Sequence, residues 1–124
     1  MIRGCKMEKK YDLRDRTYTF AVNVVKFCMH SCKNPLISDI RSQLLRSGTS
    51  IGANSEEADG SRSRKEFASK MSIARNEAKE TRFWLRLLVD SESLNNDGIM
   101  KAKELLGECE ELIKIMSSII NKIY

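Results

Sequence analysis

Apolar residues recur at three- and four-residue intervals over almost the whole chain, and only one proline, Pro35, interrupts them. Spacing near 3.6 residues collects such positions on one face of an α-helix, whereas a half-buried strand alternates every second residue. Folds of many short strands also need turn residues about every 8–12 positions. One Pro and six Gly in 124 residues cannot supply them. The pattern therefore predicts an all-α fold of long helices. A chain of this size forms one domain and buries roughly two-thirds of its unfolded surface. Its 41% hydrophobic content excludes a disordered chain.

The spacing predicts four helices. The first runs from about Asp12 to Cys32, with a stripe of Leu13, Thr17, Phe20, Val24, Phe27 and Ser31 that Ala21, Val25 and Cys28 widen. Asn34-Pro35 ends it, because proline cannot continue a helix and restricts the residue before it. The second runs from about Leu36 to Ala58 on Ile37, Ile40, Leu44, Ser47, Ile51, Asn54 and Ala58. Gly48 and Gly52 lie inside it and cost about 1 kcal/mol each relative to alanine, which points to close approach of another helix. The third starts at Ser63, an N-cap with Glu66 three residues on, the pattern of a capping box. Its stripe is Phe67, Met71, Ala74, Ala78, Thr81, Leu85 and Leu88, and it ends near Glu92. The fourth, capped by Asn96 or Asp97, runs from about Ile99 to Ile123 on Ala102, Leu105, Cys109, Leu112, Met116, Ile119 and Ile123, broadened by Leu106, Ile113 and Ile120. Short loops between helices of similar length imply an antiparallel up-down-up-down four-helix bundle over residues 11–124. Residues 1–10 read as a flexible basic tail, in which Met7 is a second candidate start.

No uncharged apolar stretch approaches the roughly 18–20 residues needed to cross a bilayer. The charged N-terminal residues are followed by no apolar region, unlike a secretory signal. The cysteines (Cys5, Cys28, Cys32 and Cys109) lack the dense spacing of a disulfide scaffold. A cytoplasmic protein with reduced thiols and no membrane contact is expected.

Tyr11-Asp12-Leu13, Arg16-Thr17 and Phe20-Ala21 form a recognisable opening. Gln43-Leu44, Arg46-Ser47, Ser50-Ile51-Gly52-Ala53-Asn54 and Glu57-Ala58 follow it. Phe67, Lys70, Ser72-Ile73-Ala74, Glu77-Ala78 and Glu80-Thr81-Arg82-Phe83-Trp84-Leu85 continue the pattern. Over about residues 11–115 the chain resembles the small bacterial four-helix-bundle proteins known as 23S rRNA intervening-sequence, or S23-type, proteins. Ser55 stands where that family usually has an aliphatic residue, and Arg62 where an acidic one is common. The resemblance implies a homopentamer, no enzymatic activity and a role that is largely unsettled. It also implies kinship with the accessory variability determinants of diversity-generating retroelements, pentameric barrels that bind nucleic acid and a reverse transcriptase.

The net charge of +5 is unevenly placed: +5 over residues 1–35, −2 over 36–60, +5 over 61–86 and −3 over 87–124. On the third helix Arg75, Lys79, Arg82 and Arg86 fall within about 60° of one another, roughly a quarter-turn from the core stripe. Like charges four residues apart disfavour a helix, so a compensating partner is expected. One candidate is a phosphate backbone, RNA or DNA, also reached by Arg62, Arg64, Lys65 and the basic tail. The other is the acidic series Glu104, Glu108 and Glu111 on the fourth helix, facing the stripe within a helical hairpin or between subunits. The chain would then be a protein-partner adaptor, for example an accessory subunit, with its charge stripes serving assembly.

Phe83, Trp84 and Leu87 lie off the core face of the third helix, and apolar surface beyond one stripe marks a subunit-interface candidate. The alternative is a locally thick core. Gln43, Ser50, Asn54 and Glu57 make a polar stripe on the second helix. It reads as a hydrogen-bond network fixing helix register, with Lys70, Arg75 or Trp84 as partners, or as a ligand groove. One carboxylate without a nearby base or second acid is poor acid–base equipment. His30, the sole histidine, points about 200° from Cys28, so the cysteines are expected to be buried thiols and not zinc ligands. No metal, cofactor or catalytic residue is expected. No glycine-rich phosphate loop exists, because Gly48 and Gly52 lie within a helical pattern.

Overall fold

The computed structural model describes residues 2–123, with side chains from Leu13 onward. Four α-helices make up almost all of it: α1 (Ile2–His30), α2 (Ser38–Asp59), α3 (Arg64–Asp90) and α4 (Asn96–Ile123). A single 3-10 turn at Pro35–Ile37 leads into α2, and no strand occurs among the described residues. α1 begins ten residues before the expected Asp12 and continues through the segment assigned to a tail. The flexible basic character expected of residues 1–10 rests on side chains outside those described.

Polar residues set the helix ends. Asn34 caps the 3-10 turn, its Oδ1 accepting from the Leu36 N–H at 2.9 Å, with Pro35 at the first position, where a missing N–H does no harm. Ser63 caps α3 by accepting from the Glu66 N–H at 3.0 Å. Glu66 returns to the Arg62 N–H at 3.0 Å, one residue before the N-cap position that a capping box uses. At α4 the cap is Asn95, not Asn96 or Asp97: its Oδ1 accepts from the Gly98 N–H at 2.8 Å. Between these helices Glu92 takes the left-handed conformation, at φ 61°.

Each helix packs on two others, α1 on α2 and α4, and α3 on α2 and α4, so α1 and α3 stand across the core from each other. The expected stripes supply most of that core, from Leu13, Phe20 and Val24 on α1 to Leu112 and Met116 on α4. Four expected positions differ. Val25 faces outward, Asn54 is half-buried at the helix flank, and Ile113 and Ile120 replace Ile119 and Ile123 as the buried isoleucines of α4. Polar atoms inside are mostly satisfied: the Ser47 and Thr81 hydroxyls lie 2.8 Å apart between α2 and α3, and Thr81 also donates to the Glu77 carbonyl. Ser55, only 2% exposed, keeps an unpartnered Oγ. A buried hydroxyl without a partner is costly.

The α1–α2 contact is closest at the two glycines. A Cβ on Gly48 would lie 2.9 Å from Val24 Cγ1, and one on Gly52 would lie 3.3 Å from the Thr17 carbonyl oxygen. Gly107 on α4 is the opposite case, with nothing within 4 Å of a Cβ. Alanine at either helical glycine gains up to about 1 kcal/mol of propensity. At Gly48 that gain is opposed by overpacking, typically about 1–3 kcal/mol, against a β-branched side chain with one favoured rotamer. In urea denaturation, Gly107→Ala is expected to raise stability by about 0.5–1 kcal/mol. Gly48→Ala is expected to lower it by about 1–2 kcal/mol, and equal stabilisation by both would contradict this packing.

Candidate functional surfaces

α3 sorts its charge by side. Towards α2 lie carboxylates with partners: Arg46 of α2 bonds Glu77 at 3.2 Å and also Glu80. Glu80 in turn accepts from Trp84 Nε1 at 3.1 Å. Lys70 on the same side reaches Glu57 of α2 at 2.8 Å. Towards α4 lie the cations. Arg75 donates to Ser117 of α4 at 3.3 Å, and its Nε is buried without a partner. Lys79, Arg82 and Arg86 make no ion pair among the described residues. Arg64 occupies the same side of α3 by helical register. With Arg62 it lines an open hollow also formed by Phe67, Ile119 and Lys122, while Lys65 is exposed beside it.

The three expected glutamates lie elsewhere. Glu108 holds Arg16 of α1 in a two-pronged contact, with Nε at 2.9 Å and Nη2 at 2.7 Å. Glu111 pairs with Lys114 one turn on, at 3.5 Å. Glu104 and Glu108 line a cleft of about 510 Å³ between α1 and α4, floored by Phe20, Phe27 and Leu105 and rimmed by Lys26, His30 and Lys101. Pairing of the α3 cations with these glutamates inside one chain is therefore not what the fold contains. The sequence pattern could not separate the two flanks of α4, since both lie a quarter-turn from its core.

Phe83 is 55% exposed and Leu87 is exposed beside it. Trp84 is half-buried, with its ring edge-on to Phe83 at a centroid distance of 5.0 Å. A second apolar strip escaped the sequence reading. Tyr18, Val22, Val25 and Met29 follow one another at helical spacing on the outer side of α1, with Tyr18 69% and Met29 63% exposed. Its signal was a second 3–4 periodicity, offset from the core stripe that claimed the same helix.

The polar stripe of α2 does not converge. Ser50 and Asn54 bond carbonyls of their own helix, Glu57 pairs with Lys70, and Gln43 is exposed without a hydrogen bond among the described residues. Neither a groove nor a shared network results. Arg46 and Glu77, which the sequence offers only as part of the family pattern and without partners, are the groups that tie α2 to α3 on this side. Cys28, Cys32 and Cys109 are buried free thiols. Burial pushes the Cys109 thiol up to about 12. Among the described residues no cluster of three or more His, Cys, Asp and Glu could hold a metal ion. No helix among them is long and apolar enough to cross a membrane.

A family model for the 23S rRNA-intervening sequence protein matches residues 9–118. The chain belongs to that family. Among solved structures, the 23S rRNA-intervening sequence fold is matched by a crystal structure from Bacteroides thetaiotaomicron, described as a protein with unknown function from the S23 ribosomal protein family. Identity to it is 34%, the TM-score is 0.77, and the alignment covers 91% of this chain and 98% of that one. A comparison with curated proteins finds no match.

The Arg46–Glu80–Trp84 chain offers an optical readout. The Arg46 guanidinium, and next the Trp84 N–H, hold the Glu80 carboxyl below the usual carboxylate range. A depressed pKa stabilises the fold above the unfolded value of about 4.3, and that contribution is lost as pH falls through the folded value. Emission of the sole tryptophan is expected to titrate with a midpoint below about 4.3. Arg46→Met should move that midpoint upward and Glu80→Gln should remove the step. A midpoint unchanged by Arg46→Met would contradict the assignment.

Proposed function

We propose that this chain is a non-enzymatic, self-associating four-helix bundle that binds RNA or DNA through the α4-facing edge of α3. The bundle is up-down-up-down. Residue pairs across its contacts support this because they run in opposite senses: Val24 with Gly48 and Thr17 with Gly52, Ala78 with Cys109 and Arg75 with Ser117.

The observation that carries the nucleic-acid reading is the free cationic edge of α3. Arg75, Lys79, Arg82 and Arg86 span about 16 Å of helix, while the acidic residues expected to neutralise them face α1 or solvent. Arg64 extends the edge towards the N-terminus of α3. Phosphate contacts of this kind position a duplex or strand without reading bases, so binding is weakly sequence-specific. Each neutralised phosphate contributes about 0.7–0.9 to the slope of log affinity against log salt. In fluorescence anisotropy with a labelled RNA and its DNA counterpart, changing Arg75, Lys79, Arg82 and Arg86 together to Gln is expected to reduce that slope by about 3. An unchanged slope in a folded variant would refute the reading.

Self-association is supported by a separate observation. The apolar strip of α1 and the Phe83–Leu87 surface of α3 lie on opposite corners of one chain. Two different apolar faces on opposite sides favour a head-to-tail contact between copies, and such contacts form a ring when the rotation between copies closes. We take the ring to be a pentamer. Light scattering at micromolar concentration is expected to give a multiple of the 14.2 kDa chain mass, and Phe83→Glu with Leu87→Glu should return the monomer. A wild-type mass of one chain would remove the assembly.

A further inference from the structure

The hollow at the start of α3 gathers charge that the fold leaves uncommitted. It encloses about 700 Å³ between the α2–α3 turn, the first turns of α3 and the last turns of α4. Arg62 and Arg64 line it from one side and Lys122 from the other, over a floor that includes the half-buried Phe67 and Ile119. The side chains of Arg62, Arg64 and Lys122 are exposed and make no ion pair or hydrogen bond among the described residues. The neighbouring carboxylate, Glu66, is turned to the Arg62 N–H at 3.0 Å and is not part of the lining. Ser63 Oγ is committed to the Glu66 N–H. The capping groups at this helix end are thus in use, and the charge facing the hollow comes from side chains outside the cap. Ser61 lines the same wall, with an Oγ that is shielded from water and has no partner.

The arrangement differs from that of the α3 edge. Arg64 lies eleven residues before Arg75, about 16 Å along the helix, with no cation on that side between them. Arg75, Lys79, Arg82 and Arg86 form a row, which suits successive phosphodiesters of one charge each. Arg62, Arg64 and Lys122 surround a concavity, which suits one compact group of higher charge. A phosphomonoester carries about −1.5 to −2 at pH 7 and offers oxygens that a guanidinium fork can hold in pairs.

We propose that the hollow seats the terminal phosphate of a nucleic-acid strand whose backbone follows the α3 edge. This rests on the nucleic-acid reading above and adds to it recognition of a strand end. Arg62, Arg64 and Lys122 bind the phosphate oxygens. Rotation of Ser61 about its Cα–Cβ bond brings its unsatisfied hydroxyl to one of them. The terminal base, with no neighbour on its outer face, lies over Phe67 and Ile119. No base edge is read, so binding stays weakly sequence-specific, but a strand held by its end lies on α3 in one register only.

Fluorescence anisotropy with one short single-stranded RNA tests this. It is compared as the 5′-phosphate against the 5′-hydroxyl, dye at the 3′ end, and as the 3′-phosphate against the 3′-hydroxyl, dye at the 5′ end. A phosphate at one of the two ends is expected to tighten binding about five- to tenfold, as three exposed charge contacts together supply. Changing Arg62, Arg64 and Lys122 together to Gln should bring that ratio to about one and leave the salt slope of the hydroxyl-ended RNA unchanged, with circular dichroism showing the helices intact. Changing Arg75, Lys79, Arg82 and Arg86 to Gln should weaken every form and keep the ratio. Salt-dependent binding with no preference for either phosphorylated end would overturn the hollow and leave the α3 reading standing. A preference that survives the Arg62, Arg64 and Lys122 changes would also overturn it. Failure of every form to bind would remove both.

Discussion

The approach of α1 to α2 across Gly48 and Gly52 is the constraint on which the other surfaces depend. A Cβ at Gly48 would collide with Val24, and one at Gly52 would press on the Thr17 backbone, so the absent side chains let α1 lie close against α2. α1 is thereby drawn towards α2, and the cleft opens on its other flank, between α1 and α4. The same contact places Cys28 and Cys32 against Arg41 and turns Tyr18, Val25 and Met29 outward. Two residues without side chains thus decide where a third helix leaves space and which face of the first remains uncovered.

Charge is partitioned with similar economy. On α3 the α2 side is neutralised by Arg46 and by the Lys70–Glu57 pair, and the α4 side is left cationic. Exposed ion pairs of this kind contribute little to stability, typically about 0–1 kcal/mol. Their effect is on the field around the molecule. By committing Glu77 and Glu80 to Arg46, and Glu108 to Arg16, the fold keeps its carboxylates away from Arg75, Lys79, Arg82 and Arg86. The positive charge of residues 61–86 is therefore carried mainly along one edge of α3.

Much of the fold was legible in the sequence because burial and helical period are one signal. Phe20, Leu44, Leu85 and Met116 are read from spacing alone, and each is buried. Ser63 was legible as a cap for the same reason, since its hydroxyl acts within its own turn. Contacts between helices were not legible. Whether Glu108 meets α1 or α3 depends on which flank of α4 turns to which neighbour, and both flanks have the same period. Asn95 displaced Asn96 and Asp97 as the α4 cap because three polar residues in a row make equal local claims. The outer strip of α1 was hidden by a core stripe on the same helix, and Val25 was assigned to the wrong one. Of the candidate surfaces, residue identities were legible and their partners were not.

The paired hydroxyls of Ser47 and Thr81 have a consequence for α2 and α3 as a unit. A sliding of one helix past the other by a single turn would still set small and aliphatic residues against one another over most of the contact. It would also carry both hydroxyls into purely hydrocarbon surroundings, away from each other. The aligned state is favoured less by the bond it makes than by the mismatch that every neighbouring alignment would create. Such a pair acts as an index mark: it adds little to the depth of the native minimum and removes the shallow minima on either side of it.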